Sequence, residues 1–260
     1  GAATGVLTSD ADGTVAIGYT AGQAITTGVQ NTVIGYEAMK TGNNIQYNTV
    51  IGYQAWTLAP AGANHNVVIG AGAGAGVSAN SDSNIIIGSA AGTGGGASLM
   101  GVIAIGNNAM KSTAANAVTG TIAIGYEALT ALTSGAGNTA IGYESAKALT
   151  TGGANVSIGY QAMSVGTVVN NSVAIGRSAG KNIATDGNAQ RNTYVGSHTG
   201  ETVTNGIGQT FVGYYAGQAY DSGNANSDVT YIGVSAGQNH TGGGDNTALG
   251  AYAHHGKSST

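Results

Sequence analysis

The chain has 260 residues, 47 of them glycine, with one proline, no cysteine and a formal net charge of −4. Glycine at more than twice its usual share of ~7%, without a G-X-Y triplet, excludes collagen, and 42% hydrophobic residues with so small a net charge exclude a disordered chain. The missing cysteines exclude a disulfide scaffold and a thiolate metal site; no apolar run reaches the ~18 residues of a membrane span, and no basic block is available to hold nucleic acid.

Charged residues make up only 7% of the chain. So few ionisable groups over this length leave little for acid–base chemistry, and neither an enzyme nor a cofactor is expected. Residues 1–12 form a lead-in, beginning at Gly1 without a signal-peptide pattern, which suggests a processed piece.

From residue 13 to 253 the sequence repeats itself. The phrase NTVIGYEA at 31–38 returns as NTVIGYQA at 48–55, TIAIGYEA at 121–128 and NVSIGYQA at 155–162. Its glycine marks fourteen copies: Gly18, Gly35, Gly52, Gly70, Gly88, Gly106, Gly125, Gly142, Gly159, Gly176, Gly196, Gly213, Gly233 and Gly250, spaced by 17 to 20 residues. Residues 254–260 form a tail. One repeat domain is expected.

Each position of the phrase makes its own demand. The residue before the glycine is isoleucine in eleven copies, including Ile17, Ile34, Ile51, Ile124, Ile141, Ile158 and Ile175. β-Branched residues suit a buried pleated surface, and these isoleucines are expected in the core. The glycine supplies a turn that a side chain would obstruct. Three residues later stands alanine in twelve of the fourteen copies, which implies a tight inner corner.

A unit this short cannot bury its own apolar face, but stacked units can bury it together. The expectation is an all-β fold: a parallel β-roll or β-solenoid of about fourteen 17–20-residue coils, with two strands of about six residues per coil. Coils spaced by ~4.8 Å would make a rod of about 65 Å.

The position between the two inward residues should then face outward. It holds Ala16, Val33, Val50, Ala123, Ala140, Tyr194, Phe211 and Tyr231 among others, and only Ser157 is polar. A strand that is apolar on both faces is buried on both. These residues are therefore expected at an interface between sister copies.

The strings SVAIG at 172–176, TIAIG at 121–125 and NTAIG at 138–142, with the trailing alanine, resemble the head repeats of trimeric autotransporter adhesins. The fuller form, NTAIGYxA or NTVIGYxA with Gly-Asn linkers, resembles bacteriophage tail-fibre proteins, over about residues 13–253. The chain departs from the adhesin heads in its longer coil and in the frequent tyrosine after the glycine. The resemblance implies a left-handed parallel β-roll in a side-by-side homotrimer, serving as shaft or head of a fibre. It implies a virion location and attachment to a host cell-surface glycan or protein receptor. The alternative is a bacterial surface adhesin or extracellular filament at the cell surface.

Several local features bear on chemistry. Tyrosine follows the anchor glycine at Tyr19, Tyr36, Tyr53, Tyr126, Tyr143, Tyr160 and Tyr214, a pattern that reads as an edge ladder, with a sugar-binding stripe as the alternative. Glu127 and Glu144 hold equivalent positions, but Glu37, Gln54 and Gln161 share them, which marks a solvent ladder rather than a catalytic pair. The glycine run at 70–76 lacks the context of a dinucleotide fingerprint, the stretch 250–258 misses P-loop spacing, and His254 and His255 lack metal-ligand spacing. Threonine recurs three residues before the glycine, a pattern that an ice-binding grid would need, but there it alternates with Val and Ile.

Two polar insertions, residues 181–191 and 218–228, interrupt the rhythm. Lys181, Arg191 and Tyr220 within them, and the aromatic pair Tyr47 and Trp56, are the possible receptor contacts.

Overall fold

A computed structural model of the chain describes residues 12–77, 81–94, 98–113, 118–183, 189–220, 228–241 and 244–254. Among these residues there is no helix. The fold is an all-β, parallel β-solenoid. Each repeat contributes one three-residue strand, paired in parallel and in register with the strand of the next: Val15, Ala16 and Ile17 lie beside Thr32, Val33 and Ile34, which lie beside Thr49, Val50 and Ile51.

The chain divides into two compact units, Gly1–Glu127 with Ala131–Gly137, and Ala128–Thr130 with Asn138–Thr260. The first unit contains the strands Val15–Ile17, Thr32–Ile34, Thr49–Ile51, Val67–Ile69, Ile85–Ile87, Ile103–Ile105 and Ile122–Ile124. The second contains Thr139–Ile141, Val156–Ile158, Val173–Ile175, Thr193–Val195, Thr210–Val212, Thr230–Ile232 and Thr247–Leu249, with a separate parallel pair, Val169–Asn170 and Ala189–Gln190.

Among the described residues strands of about six residues do not form. Left-handed backbone takes their place. The second residue after the anchor glycine has positive φ at Glu37 (51°), Gln54 (50°) and Glu144 (53°), and so does the fourth at Met39 (46°), Trp56 (45°) and Met163 (48°). Each such residue costs about 1–2 kcal/mol for an L-amino acid. Hydrogen bonds offset it. Gln54 N donates to Tyr36 O, one coil back, at 2.7 Å, whereas Trp56 N donates to Ala73 O, one coil on, at 2.8 Å. By alternating its direction, the corner bonds to both neighbouring coils without being a strand.

The anchor glycine is required twice over. Gly52 and Gly70 have φ of 143° and 133°, and a Cβ there would stand 2.5 and 2.6 Å from the carbonyl oxygen of the next anchor glycine.

The two faces of the strand are the reverse of the sequence expectation. Val33, Val50, Ala123, Tyr194, Phe211 and Tyr231 are fully buried within one chain, Ala140 is nearly so, and Ala16, in the first strand, is half-buried. They form the interior of the roll, not a surface for sister chains. Ile34, Ile51, Ile124, Ile141 and Ile158 are only half-buried, and Ile17 and Ile175 are 57% and 37% exposed; these lie on the outer face. Alternation separates two sets of side chains, but when both sets are apolar it does not say which points inward. The deciding signal is the threonine three residues before the glycine, at Thr32, Thr49, Thr139, Thr193, Thr210, Thr230 and Thr247, which shares the outer face with the isoleucines.

Inside, side chains exchange volume. The fourth position after the anchor glycine faces the middle strand residue: a Cβ on Gly200 would stand 3.2 Å from the Tyr194 ring, and one on Gly74 3.4 Å from Val68. In other coils the fourth position is itself large, as in Val50 with Trp56 and Ala104 with Met110. Ser157, the polar exception among middle residues, pairs with Ser145, one of two exceptions to the corner alanine: Ser145 Oγ donates to the Ser157 carbonyl at 2.7 Å and lies 2.8 Å from Ser157 Oγ. Ser157 Oγ donates in turn to Ala162 O at 2.9 Å.

The asparagine that opens the phrase is also internal. Asn66 Nδ2 donates to Asn48 Oδ1 (3.1 Å), Asn64 O (2.9 Å) and Ser81 O (2.8 Å), while its Oδ1 accepts from Asn84 N and Nδ2 at 3.0 and 2.9 Å. Asn31 and Asn48 begin this ladder, and Asn138 and Asn155 build another in the second unit. Buried amides are satisfied by one another and by the carbonyls of the facing turn.

Candidate functional site

With the middle residues inside, the surface chemistry lies on the outer strand face and on the corners beside it. The outer face carries two β-branched side chains per strand in nearly every repeat, for example Thr49 with Ile51, Val67 with Ile69 and Ile103 with Ile105. At its edge follow the tyrosines. Tyr19 stacks on Tyr36 with ring centroids 5.2 Å apart, Tyr36 on Tyr53 at 5.3 Å, and in the second unit Tyr143 on Tyr160 at 5.1 Å. All five rings are exposed, as the edge-ladder reading requires.

Next to them each glutamate is held from two sides. Glu37 Oε1 accepts from Lys40 Nζ at 2.9 Å and Oε2 from Gln54 Nε2 at 2.8 Å; Glu144 accepts from Lys147 Nζ at 2.8 Å and from Gln161 Nε2 at 2.7 Å. The Gln54 and Lys40 bonds hold Glu37 below the ordinary carboxylate value, and Lys147 followed by Gln161 does the same for Glu144. Both carboxylates are thus kept ionised and oriented, the wrong state for a general acid.

Two of the possible receptor contacts lie in the core. Trp56 is 1% exposed, with its indole Nε1 donating to Val77 O at 3.3 Å, because the fourth position after Gly52 points inward. Tyr220 is 2% exposed, edge-on to Phe211 and Tyr231 at 5.8 Å from each. Neither can meet a receptor. Tyr47 and Arg191 are exposed and structurally equivalent: each immediately precedes the residue that opens a repeat, in left-handed backbone with φ of 59° and 58°. Tyr47 stacks on His65, which holds the same position one coil on, at 4.9 Å. Lys181 is half-buried, and residues 184–188, like 221–227 of the second insertion, lie outside the described residues.

Nothing in the repeat pattern points to the cluster around His240. This side chain is buried, its Nδ1 is 2.8 Å from Tyr231 Oη, and its ring stacks on Tyr220 and meets His254 edge-on at 4.2 Å. Burial, then the neighbouring His254, lowers its pKa. His255 lies outside the described residues, among which no group of three His, Asp or Glu is placed to hold a metal ion. Gly70, Gly72 and Gly74 all have positive φ and form a corner like every other.

No protein-family model, curated protein or solved structure matches this chain.

Proposed function

We propose that the chain is a structural, adhesive fibre segment of the phage tail-fibre kind, assembled as three parallel copies that present surface loops to a host receptor. One observation carries this reading: in repeat after repeat the outer strand face sets an isoleucine, valine or leucine, half-buried or exposed, beside a threonine, valine or isoleucine. Within each unit these isoleucines, valines and leucines follow one another at ~4.8 Å spacing as one continuous stripe. A contiguous apolar stripe on a surface marks an interaction site more readily than scattered single residues do. A sister copy supplies a face of matching repeat, and three copies can cover one another around an axis. The interface is then the face of Ile34, Ile51, Ile141 and Ile158 rather than that of Val33 and Ala140. Receptor contact falls to the exposed corners, Tyr47 and Arg191 among them, and to the insertion that starts at Lys181.

Light scattering tests the assembly. The expected mass is three times 25.2 kDa. Ile34→Asp with Ile51→Asp should release folded single chains, and a wild-type chain that is monomeric at micromolar concentration overturns the reading. Shortening the 181–191 insertion should abolish adsorption to host cells while leaving the mass unchanged; unaltered adsorption removes that loop as the contact.

A further inference from the structure

The same five-residue arrangement is built twice, once in each unit. Tyr36 and Tyr53 stack beside Glu37, Lys40 and Gln54; Tyr143 and Tyr160 stack beside Glu144, Lys147 and Gln161. Its sequence basis is GYExxK followed one coil later by GYQA, and of the fourteen repeats only these two carry it. Elsewhere the same positions hold other sets, such as Asn107, Asn108 and Lys111. Stability does not call for the combination, since an exposed ion pair contributes only about 0–1 kcal/mol.

The chemistry presented is specific. Both oxygens of each glutamate are fixed, and each keeps a second lone pair able to accept from a ligand hydroxyl. Lys40 is paired with Glu37 and Lys147 with Glu144, so each carboxylate is balanced by its own lysine, and Lys181 adds a further positive influence on Glu144. The adjoining tyrosines are 42–56% exposed and add rigid, amphipathic surface with few rotatable bonds. Oriented acceptors, paired charge and an aromatic border fit a polyhydroxylated ring with an apolar flank.

We infer that the two patches are subsites for a neutral saccharide, one in each unit. This inference deepens the attachment reading and rests on it for its biological meaning. Two weak sites on one chain, multiplied by assembly, bind a repeating polymer far more tightly than either alone.

The test is titration of the assembled wild-type chain, by calorimetry and by ligand-observed NMR, with glucose, galactose and mannose hexasaccharides and a uronic-acid hexamer. At least one neutral hexasaccharide should bind at two sites per chain. Glu37→Ala with Gln54→Ala should remove one site, and Glu144→Ala with Gln161→Ala the other. Combining all four should weaken binding at least about tenfold, with circular dichroism and mass unchanged. No neutral binding at about 10 mM, full binding by the four-site variant, or preference for the uronic-acid hexamer overturns the inference. Mass measured on the same samples keeps the two readings apart: a trimer that binds no saccharide removes the subsites and leaves the fibre standing.

Discussion

A Cβ placed on Gly217 would stand 2.5 Å from Cδ2 of Phe211. The Phe211 ring fills the space that the fourth-position side chain takes in other coils, such as Met110 in the coil of Ala104. Phe211→Ala should therefore cost about 3–5 kcal/mol through the cavity it leaves, and Gly217→Met about 1–3 kcal/mol through overpacking. The double variant reproduces the pairing of Ala104 with Met110 and should recover part of the loss. Urea unfolding of the four proteins measures the coupling, and strict additivity would show that the two positions do not share a volume.

Asn66 engages five hydrogen bonds through one buried amide. Asn66→Leu strips the partners from Asn84 and the Ser81 carbonyl and should cost at least about 3 kcal/mol, at ~1–3 kcal/mol for each unsatisfied buried group. Asn66→Asp should be as harmful at neutral pH, since a carboxylate oxygen then faces Asn48 Oδ1. Thermal unfolding compares the three.

Gly52→Ala combines a backbone at φ 143° with a Cβ 2.5 Å from the Gly70 carbonyl oxygen. Neither contact can relax by side-chain rotation, because the obstacle is backbone. The expected cost is about 2–4 kcal/mol, and amide exchange should show faster opening at Gly52 and Gly70 than at distant coils. Exchange unchanged at those two glycines would contradict the stacked-glycine account.

His240 gives the second unit a pH dependence. Its folded pKa lies below the ordinary 6.5, so the unfolded chain binds more protons as pH falls. Stability is fully present above about pH 6.5 and declines as the pH drops from there toward the folded value. The groups packed on it are Tyr231, Tyr220 and His254. Melting compared at about pH 7.5 and about pH 5 should show a drop that His240→Phe reduces. Glu37 and Glu144, held below 4.5, titrate outside that window. An equal drop in the variant assigns the effect elsewhere.

The repeat, its spacing and the parallel stacking were legible because each anchor glycine follows a branched aliphatic residue and precedes the corner alanine. The facing of the strand was not. A three-residue strand has too few side chains to display a pattern, and both sets of them are apolar. Trp56 and Tyr220 misled for a related reason: a large aromatic in a polar-looking turn reads as exposed until the left-handed corner that carries Trp56 inward is known. That corner escaped notice since Glu, Gln and Met, unlike glycine, do not advertise positive φ. The asparagine ladder could have been anticipated from the recurrence of Asn at the first position of the phrase, where a solvent-facing residue would vary more from copy to copy. The paired exceptions Ser145 and Ser157 lie twelve residues apart and carry no local signal.

The residue-for-residue register passes unchanged across coils of 17 and 18 residues, and the amides of Gly35, Gly52 and Gly70 each donate to the coil before. A whole coil is therefore an exchangeable segment. Excising residues 36–52 joins Gly35 to Tyr53 and lets Val67–Ile69 take the place vacated beside Thr32–Ile34, with the backbone donors of the strand meeting the same kind of acceptor as before. A gene for such a protein can adjust its reach by in-frame loss or gain of one period, in increments of ~4.8 Å, without altering the backbone register.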